Sequence, residues 1–327
     1  MSMKWLFLLL PNLLFLACCS LQNSSAQSVD HKAIEYKFPV LSGPYLGQAL
    51  VGDTPELFAY DIISHSAGLG HARDIAITPD GQEIYFSSNN ENHTQSRIYV
   101  TKIVNGVWTE PAPVPFASDA SLKYGEPFLS SDGSKMYFVS VRPIGSRSDY
   151  NIWYVERVGD DWGEPKEIGL PINSEFNEFF PSVTASGTIY FTRTIPSDGT
   201  YIFRSKLLNG EYSEPEKLGP EINATNDQYN AFIAPDESYI IVPNGQRGDS
   251  FGGSDYYICF RNDNDGWEGS FNLGDQVNSR FSREWSASVS PDGEYLFFMS
   301  DRGPTDPGRS KIFWINAAFL SKLNPND

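Results

Sequence analysis

The chain has 327 residues, 40% hydrophobic and 20% charged, enough for one large core, and no shift in composition marks a second domain. Its formal charge of −17 disfavours nucleic acid and anionic lipid headgroups, both of which call for a cationic surface. Three cysteines make no disulfide framework, and helical periodicity is nearly absent, with only 317–323 suited to a helical turn.

In chain order, Lys4 followed by the apolar stretch Trp5–Ala17 reads as an export signal too short to span a bilayer. Phe15-Leu16-Ala17-Cys18 resembles the lipobox of bacterial lipoproteins, with Phe at its first place as a departure. That resemblance implies lipidation of Cys18, with Cys19 the other possibility, and the absence of Asp after Cys18 implies sorting to the outer membrane. Several acyl chains would make a firm anchor, each buried CH₂ contributing about 0.8 kcal/mol. Cleavage after Ala17 removes Lys4 and leaves 23 basic against 41 acidic residues, a net charge of −18. The expected division is a signal peptide over 1–17, a lipidated tether over 18–50, polar and small at its start, and one domain over 51–327.

Thr54-Pro-Glu-Leu-Phe-Ala-Tyr-Asp-Ile-Ile63 looks like a strand without a hairpin partner. A phrase then recurs five times: Asp74-Ile-Ala-Ile-Thr-Pro-Asp-Gly, Glu126-Pro-Phe-Leu-Ser-Ser-Asp-Gly, Phe180-Pro-Ser-Val-Thr-Ala-Ser-Gly, Asn230-Ala-Phe-Ile-Ala-Pro-Asp-Glu and Ser286-Ala-Ser-Val-Ser-Pro-Asp-Gly. Its turn residues Asp80, Asp132, Ser186, Asp236 and Asp292 are 52, 54, 50 and 56 apart, a period that four strands fill. Pro presets φ, Asp bonds its own backbone and Gly accepts positive φ, so the turn joins a first strand to a second such as Ile84-Tyr-Phe-Ser. Third strands follow, Arg97-Ile-Tyr-Val-Thr in the first unit and Lys311-Ile-Phe-Trp-Ile in the last. Turns such as Asn105-Gly106 and Asn209-Gly210 lead to fourth strands beginning at Trp108, Trp162, Tyr212 and Trp267, where Pro suits an edge. The Trp series is expected to pack between units.

Four-stranded antiparallel units in radial array make an all-β fold, a β-propeller. The fifth unit lacks a fourth strand, and the orphan segment 54–63 is expected to supply it and latch the ring. The reading is five blades, with six if residues 31–53 hide a degenerate unit. The Ser-Pro-Asp-Gly-x-x-Leu/Ile-Tyr-Phe unit resembles the TolB-type, WD-repeat-like propeller family over roughly 54–320. The resemblance implies the fold and leaves the function open, since such propellers serve as scaffolds, sugar binders, lyases and peptidase accessory domains.

Catalytic motifs are missing. There is no Gly-x-Ser-x-Gly elbow, Gly68-Leu-Gly70 is a turn, and Asn262-Asp-Asn-Asp-Gly266 resembles a calcium loop without its distal Glu. The four histidines, His31, His65, His71 and His93, all precede the second blade. This excludes a metal held by His from several blades, as in oligogalacturonate lyases that resemble this fold. No metal or cofactor is expected. Cys259 reads as a small buried residue.

In propellers the first strand lines the central channel and loops at its mouth carry ligands. Counting back from the turns gives a polar ring, His71, Lys123, Asn177, Asp227 and Arg283, flanked by Tyr124, Glu178, Gln228 and Glu284. Arg73, Asp74, Glu126, Tyr229, Asn230 and Trp285 follow. Cations, amides, carboxylates and aromatic faces are the mixture an acidic sugar needs, although the same residues can serve as inter-blade bridges. A second set, Arg142, Arg193, Arg247 and Arg302 with Asp149 and Asp255, is expected to form structural pairs within blades. The leading reading is an anchored, monomeric propeller that binds an anionic oligosaccharide or an envelope protein at the channel mouth. The alternative is a metal-independent lyase or dehydratase on uronate-containing oligosaccharides. In it His71, Lys123, Tyr124 or Tyr229 would be the base, and Arg73, Arg283 or Asn177 would neutralise the carboxylate. Glycoside hydrolysis through Glu126, Glu178 or Glu284 is a weaker variant.

Overall fold

A computed structural model describes residues 38–63, 70–90, 92–280, 282–303 and 309–325. The five repeats form five separate antiparallel sheets, each with its first strand innermost. In blade 1 the first three strands are His71–Ile77, Glu83–Asn89 and Ser96–Val104; in blade 2, Tyr124–Leu129, Lys135–Ser140 and Asn151–Val158. Those of blade 3 are Asn177–Val183, Ile189–Ile195 and Gly199–Ser205; of blade 4, Phe232–Ile233, Tyr239–Gly245 and Ser254–Arg261. Blade 5 holds Glu284–Val289, Tyr295–Ser300 and Lys311–Asn316. Its fourth strand is Glu56–Leu57, pairing with Trp314 and Phe313, so the N-terminal segment latches the ring as the missing strand required.

The latch is shorter than 54–63. At Ala59 the backbone turns to a φ of 43°, and Tyr60–Ile63 closes a single helical turn. Phe58 drives this turn inward: it is fully buried, with its ring 5.0 Å from Phe297 and 5.3 Å from Trp314. Residues 38–50, the described part of the expected tether, also lie on the propeller. Leu46 is fully buried, Gly43 accepts the Trp108 indole N–H at 2.8 Å, and the Tyr45 hydroxyl donates to Asp292 at 2.8 Å. The anchor residues Cys18 and Cys19 fall outside the described residues.

The fourth strands of blades 1–3 are each broken in two. Val107–Trp108 and Ala112–Pro113 flank Pro111, Asp161–Trp162 and Lys166–Glu167 flank Pro165, and Glu211–Tyr212 and Glu216–Lys217 flank Pro215. Proline has no N–H for the ladder, so pairing lapses at each. Blade 4 has Ser270 there and keeps one strand, Trp267–Asn272.

The apolar side chains divide into five clusters, each filling the wedge between neighbouring blades. One joins Ile75 and Ile84 of blade 1 to Phe297 and Trp314 of blade 5; another joins Tyr256 and Ile258 of blade 4 to Phe298 and Ile315 of blade 5. Five wedges between five blades close the circle. The Trp series packs there: Trp162 donates to the Tyr85 hydroxyl of blade 1 at 2.9 Å, and Trp267 meets Tyr190 of blade 3 edge-on. Cys259 is fully buried, and burial pushes its thiol up to about 12.

Candidate functional site

The inner strands deliver their polar residues in three tiers. The outermost tier is the expected ring, His71, Lys123, Asn177, Asp227 and Arg283, and much of it stitches the seams between blades. Asn177 Oδ1 accepts the Tyr150 N–H of the preceding blade at 3.0 Å, while Asp227 and Arg283 bridge in parallel to Thr200 and Ser254, where the preceding third strands begin. Lys123 remains at the mouth, its Nζ 3.4 Å from the His93 carbonyl, and the His71 and His93 rings lie 4.5 Å apart.

The next tier turns inside the blades. Glu178 and Glu284 are fully buried. Glu178 accepts Arg193 Nε at 2.8 Å and the Ser174 N–H at 3.1 Å; Glu284 accepts Arg302 Nη2 at 3.1 Å and the Ser282 hydroxyl at 2.9 Å. Burial raises both carboxyls, Glu284 to about 7, even though the arginines pull the other way. Tyr124 is buried with its hydroxyl 3.3 Å from Arg142, and the Gln228 and Asn244 amides meet at 2.9 Å. These side chains serve as structural bolts. The expectation that each Arg would meet an Asp is corrected in part. Arg193 and Arg302 take the buried glutamates instead, Asp149 pairs with Arg147, and Asp255 accepts the Phe251 and Gly252 N–H groups at 2.7 and 3.1 Å. Arg247 does pair with an aspartate, Asp249, at 2.9 Å.

The third tier reaches the channel itself. Every inner strand is irregular six residues before its turn, where Asp74, Glu126, Phe180 and Asn230 adopt left-handed φ values of 47°, 56°, 44° and 49°. Such conformations are uncommon for residues with a Cβ and leave one residue out of the ladder, aimed at the axis. A chain of bonds follows around the ring. The Ser286 hydroxyl of blade 5 donates to Asp74 Oδ1 at 2.8 Å, and Arg73 binds Asp74 Oδ2 and Glu126 Oε1, both at 3.2 Å. Glu126 Oε2 then accepts the Phe180 N–H of blade 3 at 2.7 Å. Burial pushes the Glu126 carboxyl up to about 7; Arg73 opposes this and Asp74 adds to it. Burial also works against the Arg73 charge, but its two carboxylates outweigh it and raise its pKa.

Above this floor lies a cavity of about 180 Å³ between blades 1, 2 and 3. The cations Arg73, Lys123 and the neighbouring His93 meet there with Asp74, Glu126 and the faces of Tyr150 and Phe179. Of the expected site residues, Arg73, Asp74, Lys123, Tyr124 and Glu126 line it and His71 adjoins it through His93. Asn177, Glu178, Asp227, Tyr229, Asn230, Arg283 and Glu284 do not. Tyr229 and Arg283 belong to the opposite rim, with the Tyr229 ring 5.9 Å from Trp285 and the Arg283 guanidinium 5.9 Å above it. Burial pushes the Tyr229 phenol up to about 12, which makes it a poor base near neutrality, and its hydroxyl already donates to the Glu284 carbonyl. Of the groups an elimination would use, Lys123, Tyr124 and Arg73 share the cavity, whereas Tyr229, Arg283 and Asn177 do not line it. Nor can Glu178 and Glu284 serve as a hydrolytic pair, being sealed by Arg193 and Arg302. The lining residues Asn89, His93, Ser96, Tyr150 and Phe179 were not anticipated. Asn89 ends the second strand of blade 1, His93 lies in the loop that follows and Ser96 begins the third strand, while Tyr150 immediately precedes the third strand of blade 2 and Phe179 lies one residue from the blade 3 bulge.

No family model matches the chain, and no curated protein matches it. Among solved structures, the Agrobacterium tumefaciens protein described as TolB is 13% identical, with a TM-score of 0.51, 82% of this chain covered and 86% of that one. TolB from Acinetobacter baumannii is 16% identical with a TM-score of 0.45; 75% of this chain is covered, spanning only 57% of that protein. A thermostable family-43 glycoside hydrolase is 13% identical with a TM-score of 0.49, covering 74% and 88%. At such identities the first likeness establishes the propeller fold and nothing further.

Proposed function

We propose that this protein is an envelope-anchored binding propeller, lipidated at Cys18, that holds an acidic oligosaccharide in the cavity between blades 1 and 3. One observation carries the reading: Lys123 and Arg73 stand over a buried carboxylate floor, with His93 beside them and two aromatic faces at their side. The cations match a uronate carboxylate or a sulfate. Asp74 and Glu126 accept from sugar hydroxyls, and Tyr150 and Phe179 cover C–H faces. The second aromatic rim, Tyr229 with Trp285, would extend the site to a longer chain. The Trp285 indole N–H is buried without a partner among the described residues, a donor left for a ligand oxygen. Because Tyr124, Tyr229, Glu178 and Glu284 are committed to the scaffold, binding is preferred to turnover.

Calorimetric titration with uronate oligosaccharides tests this, alongside ultraviolet absorbance for a new C=C bond. Binding that weakens about tenfold in Lys123→Ala, with no absorbance rise, supports it, since an opposed charge at a partly buried site is worth about 1–2 kcal/mol. Absorbance growth abolished by Lys123→Ala would convert the reading to the lyase. An envelope partner protein retained by the wild type but not by Lys123→Ala would replace the sugar.

A further inference from the structure

The other end of the channel has the opposite chemistry. On the face where the first and second strands turn, a funnel of about 240 Å³ is walled by Ile77, Phe128, Leu129, Phe232 and Val289. A small void that touches Asp74 and Phe180 shares Phe128 and Phe297 with the funnel, and none of the residues lining the funnel lines the polar cavity. Through Ile77, Pro79 and Pro291 it runs on into a groove of about 400 Å³ beneath Tyr45. A pit that opens into a groove fits an extended chain with one side chain inserted, rather than a compact ligand.

The rim is charged. Pro79, Ser131, Pro235 and Pro291 line the funnel, and each is followed by an aspartate: Asp80, Asp132, Asp236 and Asp292. In all four, Oδ1 accepts a turn N–H at 3.0 Å, from Gln82, Ser134, Ser238 and Glu294. These bonds fix the carboxylates in place, and those from the Ser130 and Ser134 hydroxyls and the Ser134 N–H hold Asp132 down at about 2. Among the described residues none of the four has a cationic partner, and nearby Arg157 and Arg261 are spent on Glu83 and Asp265. An anionic occupant would be repelled, and a purely apolar one would desolvate carboxylates without repaying them.

We infer that this face docks a partner protein through an extended basic segment, one apolar side chain filling the funnel and flanking Lys or Arg residues lying over the turn aspartates. The site is independent of the oligosaccharide cavity.

The test uses the full chain and a fluorescein-labelled hexapeptide, Lys-Arg-Leu-Phe-Arg-Lys, followed by anisotropy. Versions with Glu in place of every cation, or with Ser in place of Leu and Phe, are the controls. The basic amphipathic peptide should bind, and both controls should bind at least about tenfold more weakly, because rim charge and buried anchor each contribute. Asp132→Asn with Asp236→Asn keeps the turn acceptors and should weaken binding about fivefold. Ser131→Arg, an exposed position, should weaken it about tenfold without touching the core. Lys123→Ala should change nothing. Equal binding of the acidic peptide, indifference to Ser131→Arg, loss on Lys123→Ala, or a self-associated state that blocks the peptide would each overturn the inference.

Discussion

Replacing Glu126 by Gln separates the electrostatics of the channel floor from its packing. Burial pushes this carboxyl from 4.5 up to about 7, so the folded protein holds a proton that the unfolded chain has already released. Stability linked to such a group is fully present below about pH 4.5 and is lost as pH rises through 7. A pKa unit is worth about 1.4 kcal/mol, so the complete loss amounts to about 3 kcal/mol as an upper bound. Glu284, also raised to about 7, adds a loss of the same sign, and Glu178 shifts in the same direction. The depressed carboxyls of Asp80, Asp132 and Asp292 act oppositely and at lower pH, where protonation begins to cost stability. Urea unfolding at pH 5, 6, 7 and 8 should therefore show wild-type stability falling across the series. Glu126→Gln keeps an oxygen for the Phe180 N–H and cannot titrate. Its amide NH₂ then faces Arg73, which lowers stability at every pH, so the reading is the slope: from pH 5 to 8 the variant should lose about 2–3 kcal/mol less than the wild type. Parallel slopes would refute the claim that this carboxyl is held protonated by burial.

Two further substitutions test the ring. Phe58→Ala should cost about 3–5 kcal/mol in urea unfolding, because Phe58 is fully buried against Phe297 and Trp314 where the N-terminal strand latches blade 5; a loss below about 1 kcal/mol would show that the latch contributes little. Asn278→Ala should cost about 2–4 kcal/mol and more than Asn223→Ala, since both asparagines clip the peptide groups of a third-strand residue but only Asn278 is completely buried; equal losses would break the link to burial.

The asparagine clip shows where sequence reasoning stops. Proline spacing and Pro-Asp-Gly turns made the blades legible, because each acts within a few residues along the chain. Pro171-Ile-Asn173, Glu221-Ile-Asn223 and Gln276-Val-Asn278 also recur at the blade period, yet their purpose emerges only in three dimensions. Asn173, Asn223 and Asn278 bond both backbone groups of Ile152, Ile202 and Tyr256 where the fourth strand has ended. A signal was present in the repeated Ile/Val-Asn. The candidate site was partly legible for a related reason. The offset from each turn located Arg73, Asp74, Lys123 and Glu126, but alternation alone cannot tell a residue at the seam from one at the mouth. The bulge decides it by shifting the register between Arg73 and Ile75, and between Gly125 and Phe128. No residue type announces that bulge, since the extra residue is Asp, Glu, Phe or Asn rather than Gly.

That choice bears on what the channel is for. Glycine would accept a left-handed backbone freely, whereas each of Asp74, Glu126, Phe180 and Asn230 pays about 1 kcal/mol to hold it. The chain carries this strain in four blades running, and in return gains side chains that only these positions can place on the axis. Asp74 and Glu126 tie blade 5 to blade 1 and blade 2 to blade 3, closing the polar end with a charged floor. Phe180 contributes to the aromatic layer that closes the other. A propeller needing only rigidity would obtain it from its five apolar wedges, which already close the ring without the axis. The strained residues instead give the two ends of the channel contrasting chemistry, carboxylates towards one and an aromatic layer towards the other. If both proposed ligands bind, the polar cavity and the apolar funnel have no lining residue in common, so occupancy of one should leave the affinity of the other unchanged in a two-ligand titration, and competition between them would refute that independence.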